Sequence, residues 1–212
     1  MRDLPMFTTE NGAASLTLRE IPACRRAYIR IQASQTPQAL LEECVSFCKA
    51  CGAEKIYASG HEFLERYPLH TAIWHMSGRR EALPESDASL FPVQEQTAEA
   101  WRRIYNEAMA RVDNASYLTA ADARAAAEAG QAYFVHRDGT LLGIGCIDGE
   151  TLKAIVSLIP GQGAAILGAL NHAMGGEQIV LEVASTNHRA IRLYERLGMI
   201  ATAETARWYK IV

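Results

Sequence analysis

The sequence predicts an α/β (α+β) protein, a mixed and mostly antiparallel sheet flanked by helices and preceded by a smaller α/β segment. Three observations carry this. The last third reads strand, polar loop, helix, Gly, strand. The stretch before it reads strand, two helices, three antiparallel strands and a helix. Residues 16–78 alternate strand and helix on their own account.

The most informative stretch is Ile179 to Ile211. It opens with Ile179-Val180-Leu181-Glu182-Val183, an apolar, β-branched run short enough to be a buried strand. Ser185, Thr186 and Asn187 offer N-cap chemistry, and a helix follows from about His188 to Leu197. Ala190, Ile191, Tyr194 and Leu197 share one face, while His188, Arg189, Arg192, Glu195 and Arg196 fall largely on the other. Gly198 ends the helix, because a C′ residue adopts a left-handed conformation most easily without a Cβ. A last strand is expected at about Ala206 to Val212.

The pattern LEVxxxNxxAIxLYERLGM resembles the C-terminal motif of the GNAT (general N-acetyltransferase) superfamily of acyl-CoA-dependent N-acyltransferases. Leu181, Val183, Asn187, Ala190, Ile191, Leu193, Tyr194, Glu195, Leu197 and Gly198 match it, and Met199 stands where the family usually has Phe. The resemblance implies a GNAT acyl-CoA N-acyltransferase fold over roughly Ser89 to Val212. It further implies acetyl-CoA as cosubstrate and direct attack by a primary amine within a ternary complex.

Composition narrows the class. Nearly half of the 212 residues, 49%, are apolar, enough to fill one large core or two small ones. A formal charge of −3 leaves no basic footprint for nucleic acid. No apolar run reaches the ~20 residues needed to cross a bilayer, and the N-terminus shows no apolar signal core. Five cysteines suit a reducing compartment better than a disulfide framework. A cytoplasmic protein without a membrane or nucleic-acid partner is therefore expected.

Three divisions are expected: a partial GNAT-like α/β domain at 1–80, a linker at 81–92 and a GNAT acetyltransferase domain at 93–212. In the first, Arg26 to Gln32 alternates like a half-buried strand. Thr36-Pro37 pairs an N-cap with Pro at the first helical position, and the helix runs to Gly52. Glu54 to Ser59 reads as a second strand, His61 to Tyr67 as a short helix stopped by Pro68, and Thr71 to Met76 as a third strand. This order is that of the second half of a GNAT domain, which suggests a degenerate partial repeat. The repeat lacks the signature, having Glu62 to Tyr67 in its place. Cys44, Cys48 and Cys51 at i, i+4, i+7 fit a core-facing helix better than the knuckle spacing of a zinc site. Gly78 to Pro92 is charged, holds two prolines and has no apolar period, which reads as a boundary.

In the second domain, Leu90 to Val93 is a candidate strand. Thr97 caps a helix through Val112, and Thr119 caps an Ala-rich one closed by Gly130. Ala132 to His136 and Leu141 to Ile147 flank Asp138-Gly139, a strong hairpin signal. Thr151 to Ile159 is the next strand, followed by Pro160-Gly161-Gln162-Gly163 and a helix from about Ala164 to Met174.

An acyl-CoA needs a seat for its pyrophosphate, and backbone N–H groups at a helix start provide one. Gly161, Gln162, Gly163 and Ala164 occupy that place. The family's loop carries a basic or amide residue ahead of its glycines, whereas Pro160 stands here, which weakens the match. By resemblance, Leu158 and Ile159 offer backbone to the pantetheine arm, Asn187 hydrogen-bonds that arm, and Tyr194 is the general acid for the departing thiolate. Seven residues span nearly two helical turns, so Asn187 and Tyr194 can face one cleft. No general base stands out among Glu150, Lys153 and Glu182, and His136, His172 and His188 are scattered. Catalysis would then lean on positioning of a small-molecule or peptide amine acceptor. A non-catalytic binding or regulatory module of the same fold is the alternative, favoured by the altered loop. Pairing of sheets into a homodimer is compatible with either.

Overall fold

The computed structural model describes residues 5–212. They form two compact units, one drawn from the chain up to Ala72 together with Thr205–Val212, the other spanning Ile73–Glu204.

The first unit opens with a hairpin, β1 (Met6–Thr9) and β2 (Gly12–Thr17). A single turn, α1 (Ile21–Cys24), leads to β3 (Arg26–Ala33), α2 (Pro37–Ala50) and β4 (Lys55–Ser59). β3 and β4 run parallel from Arg26↔Lys55 to Arg30↔Ser59, as a crossover through a helix allows. Antiparallel neighbours flank them: β2 on β3, and the end of the C-terminal strand on β4 at Ala58↔Tyr209. Alternation sends Ala27, Ile29, Ile31, Ile56 and Ala58 to one face, where Leu40, Leu41, Cys44 and Cys48 of α2 cover them. Burial pushes the Cys44 and Cys48 thiols up to about 12 and about 11, so they are inert packing groups. Cys51, placed on that face by periodicity, is exposed because α2 ends at Ala50. Thr36 holds the N-cap position of α2 but does not cap it; its hydroxyl donates to Asn11 Oδ1 at 2.8 Å. The segment expected as a short helix is a 3₁₀ helix, Glu62–Arg66, capped by His61 through Nδ1.

In the second unit, β5 (Leu69–Arg79, from Ile73 onward) pairs antiparallel with β10 (Gln178–Ala184) from Ile73↔Ala184 to Arg79↔Gln178. Between them in sequence come β6 (Ser89–Pro92), α3 (Ala98–Met109), α4 (Ala120–Glu128), β7 (Ala132–Arg137), β8 (Thr140–Asp148), β9 (Thr151–Ser157) and α5 (Gly163–Asn171). α6 (His188–Arg196) and the start of β11 (Ile200–Lys210) complete it. The strand order is β5-β10-β9-β8-β7-β6, with the first residues of β11 beside β5. Among the described residues, no helix is long and apolar enough to cross a membrane.

The stretch 81–92, expected as a linker, is structured. Arg80 donates to Asn171 Oδ1 at 2.7 Å and to the Gly176 carbonyl at 2.7 Å, and Leu83 and Ala88 are buried. β6 then pairs with β7 from Ser89↔His136 to Pro92↔Tyr133. Pro92 is tolerated because β6 is the last strand of its order, where a missing N–H leaves no ladder bond unmade. The C-terminal strand begins at Ile200, six residues before the expected start.

Two layers of helix close the second unit. Trp101, Tyr105 and Ala123 of α3 and α4 pack on Ile144, Cys146 and Val156. Ile166, Leu167 and Leu170 of α5 and Ile191 and Tyr194 of α6 share the other core with Leu152, Ile179, Leu181 and Val183. Thr119 forms a full capping box with Asp122, as its sequence promises.

Candidate active site

Two irregularities of β9 create the site. Its register with β8 shifts: Cys146 pairs with Ala154 but Ile147 pairs with Leu152, so Lys153 is an extra residue. Such a bulge bends the strand that carries it. On the opposite edge, β9 runs parallel to β10 at Thr151↔Val180 and Leu152↔Leu181, immediately before the bulge. Beyond it the two strands part.

The parting leaves backbone groups facing the gap. Leu158 N–H donates to the Leu142 carbonyl at 2.9 Å, which makes Leu142 and Leu158 a hydrogen-bonded pair. Antiparallel ladders alternate, so Ile144↔Val156 is bonded in the same way, while Gly143↔Ser157 and Gly145↔Ile155 are not. The N–H and C=O groups of Ile155 and Ser157 therefore point away from β8, into the gap.

α5 starts at the end of this edge. It sits close to β8 because Gly143 and Gly145 have no side chains: a Cβ on Gly143 would lie 2.7 Å from Ile166 Cδ1, and one on Gly145 2.6 Å from Leu170 Cδ2. The turn before α5 includes Gly161 in the left-handed region (φ 86°) and Gln162 at the N-cap position, where its side chain does not cap. The first N–H groups of a helix have no partner within it and lie at the positive end of its dipole. Arg137, from the end of β7, reaches this turn: its Nη1 donates to Gln162 Oε1 at 3.4 Å, and its Nε lies 2.8 Å from Asp87 Oδ1.

α6 supplies the third wall. Asn187 caps it, its Oδ1 accepting the Ala190 N–H at 3.2 Å. Two turns on, Tyr194 is 8% exposed, and burial pushes its phenol up to about 12.

These walls enclose a cavity of about 270 Å³. Ile155, Val156 and Ser157 line it from β9, Gly161 and Gly163 from the turn and α5, and Asn187, Arg189, Ala190, Leu193, Tyr194 and Arg196 from α6 and its cap. Ala108, Met109 and Val112 close it from α3 and the turn after it. Two guanidiniums belong to the lining, and no carboxylate or imidazole does. The cavity is suited to an anion with an apolar portion.

Of the residues expected from sequence, Gly161, Gly163, Asn187 and Tyr194 meet at this cavity. Gln162 and Ala164 lie at the α5 start beside it. Leu158 and Ile159 do not line it. Leu158 is 47% exposed with its N–H bonded to β8, and the Ile159 carbonyl accepts the Ser157 hydroxyl at 2.6 Å. Ile155 and Ser157 line it from this strand instead, and β9 ends at Ser157 rather than Ile159. Arg137 reads from sequence only as the start of the Asp138-Gly139 hairpin turn. Arg189 and Arg196 were visible only as polar residues of an amphipathic helix, and the α3 residues only as a helix face.

No protein-family model and no curated protein matches the sequence. Solved structures do resemble it. A conserved protein of unknown function from Staphylococcus epidermidis aligns over 98% of this chain and 93% of its own, with a TM-score of 0.63 and 11% identity. A GCN5-related N-acetyltransferase from Sphaerobacter thermophilus aligns over 93% of this chain and 76% of its own, with a TM-score of 0.58 and 13% identity. A tandem GNAT protein from the clavulanic acid biosynthesis pathway aligns over 94% and 78%, with a TM-score of 0.58 and 15% identity. At these identities the likeness is one of architecture: the chain has the GNAT acyltransferase fold.

Proposed function

We propose that the chain is an acyl-CoA-dependent N-acyltransferase that moves an acetyl group from acetyl-CoA to a primary amine. The observation that carries this reading is the single cavity in which the open edge of β9, the start of α5, Asn187 and Tyr194 come together without an acidic residue.

The chemistry follows from the walls. Amides of the pantetheine arm hydrogen-bond the free backbone groups of Ile155 and Ser157, as a further strand would. The pyrophosphate takes the N–H groups at Gly163 and Ala164 and the positive dipole end of α5. Asn187 keeps its Oδ1 on the helix cap, so its amide N–H₂ is the group available to the arm.

Tyr194 faces the departing sulfur. A phenol held at about 12 is protonated at neutral pH, so the donor is always loaded. A thiol's own value is about 8.5, so complete transfer from the phenol runs uphill. The hydroxyl therefore acts first as a hydrogen-bond donor to charge building on sulfur, where a buried site makes it strongest.

Calorimetric titration of acetyl-CoA and CoA into the wild type and Asn187→Ala tests the reading. Micromolar binding weakened by the substitution supports it; no binding at millimolar acetyl-CoA overturns it. That second result would favour the non-catalytic module, to which the Pro160-Gly161-Gln162-Gly163 turn, without a cation of its own, lends some support.

A further inference from the structure

Acyl transfer to an amine requires a proton acceptor, and the cavity lining has none. The sheet beside the cavity does. Leu152 and Leu181 are paired and both belong to the core under α5 and α6. Glu182, the next residue, therefore projects from the opposite face, where α3 and α4 cover β8 and β9 through Ile144, Cys146, Ala154 and Val156. Glu182 is exposed there, directly past the last β9–β10 pair and so at the mouth of the gap. Val156, which lines the cavity on this same face, is about two residues, or ~7 Å, further along.

His75 on β5 is the register partner of Glu182, which sets the two side chains next to each other on that face. Its Nδ1 lies 2.7 Å from Thr202 Oγ1 on β11. Where the Thr202 hydroxyl gives its proton to the His75 carbonyl, 3.2 Å away, the Nδ1–H donates to Oγ1. This tautomer leaves the Nε2 lone pair for a proton. Glu182 on β10 is the charged residue paired with His75 in register, Glu204 lies two residues beyond Thr202 on β11, and Lys153 on β9 is paired with Asp148 at 2.6 Å.

We propose that this face is the acceptor site, that it takes a cationic primary amine held by the Glu182 carboxylate, and that His75 Nε2 removes the amine's proton through one water. The inference rests on the acyl-transfer reading above. R–NH₃⁺ gives one proton to Nε2. The freed lone pair forms the C–N bond to the thioester carbonyl, and the C–S bond breaks with its electron pair on sulfur. The second proton, lost from nitrogen as the adduct collapses, balances the one gained by sulfur, and the imidazolium returns its proton to solvent.

The test compares n-butylamine, a cation at neutral pH, with aniline, which enters neutral, following free thiol from acetyl-CoA. His75→Gln should lower kcat with n-butylamine about 100-fold with KM little changed. Glu182→Gln should raise KM for n-butylamine roughly ten-fold with kcat little changed. Aniline transfer and acetyl-CoA affinity, read by calorimetry, should be indifferent to both substitutions. Equal losses with both amines would assign His75 and Glu182 a structural role and overturn the proposal. So would unchanged n-butylamine kinetics, or acetyl-CoA that binds the wild type without amine-dependent thiol release. Failure of acetyl-CoA to bind at all is a different result: it removes the acyl-transfer reading itself, and this inference with it.

Discussion

The Arg137 guanidinium donates to the side-chain amide of Gln162 at 3.4 Å, so a cation from the end of β7 stands at the turn that starts α5. The turn's own sequence has none. Asp87, mostly exposed, neutralises part of this charge at 2.8 Å, and solvent screens the rest. Arg137→Ala should therefore weaken acetyl-CoA binding modestly, by roughly 1 kcal/mol at low salt and by less at high salt, where exposed charges count for little. Calorimetry at two ionic strengths measures both. An affinity unchanged at low salt would remove Arg137 from the pyrophosphate seat.

Asn187 has two tasks that can be separated. Its Oδ1 caps α6, and its residue lines the cavity. Asn187→Ala should cost about 1 kcal/mol of stability from the lost cap and should also weaken acetyl-CoA. Asn187→Ser retains a capping oxygen but has no amide donors, so it should recover most of the stability and none of the affinity. Thermal melts with and without ligand decide this. Recovery of both by Ser would reduce Asn187 to a helix cap.

Element order in the second unit was legible because it rests on local signals: Asp138-Gly139 between apolar runs, Thr119 with Asp122, and Gly198 after an amphipathic helix. So was the meeting of Asn187 with Tyr194, which one helix dictates. The bulge at Lys153 was not legible, since an extra residue in a strand changes pairing without changing composition, and with it went the true cavity residues Ile155 and Ser157. Arg137 beside Gln162, and His75, the base proposed above, escape sequence reading for a related reason: β7 and β5 find their neighbours by strand order, which hydrophobic period does not encode. The hairpin of β1 and β2 was missed because Thr8, Thr9, Asn11 and Gly12 interrupt any alternation there, and its strands are short.

Tyr194→Phe removes a donor and little volume. The expected result is a kcat at least ~100-fold lower with acetyl-CoA affinity unchanged. The substitution should also alter alkaline stability. Folding raises this phenol from 10.0 to about 12, so the folded state holds its proton more tightly. Its contribution is fully present below pH 10 and is lost as pH rises towards about 12. The wild type should lose stability over that window faster than the Phe variant, by an amount on the order of 2 kcal/mol. Parallel chemical-denaturation curves between pH 9 and 11 would show it, and coincident curves would mean that the phenol is not buried in solution.

Gly145 connects sheet packing to ligand affinity. A Cβ there would lie 2.6 Å from Leu170 Cδ2, and Leu170 is fully buried near the end of α5. The helix has little room to yield sideways, because Ile166 and Leu167 are also fully buried in the same core. Gly145→Ala should then cost about 1–3 kcal/mol by overpacking. Part of the strain is relieved if α5 lifts from β8, which carries Gly163 and the anion seat away from the edge of β9. Acetyl-CoA affinity should fall even though residue 145 does not touch the cavity. Leu170→Ala in the same chain removes the clashing methyls, so the double variant should regain affinity over Gly145→Ala while remaining less stable than the wild type, since contacting residues do not act additively. Affinity that stays low in the double variant would show that the loss arises elsewhere than in the seating of α5.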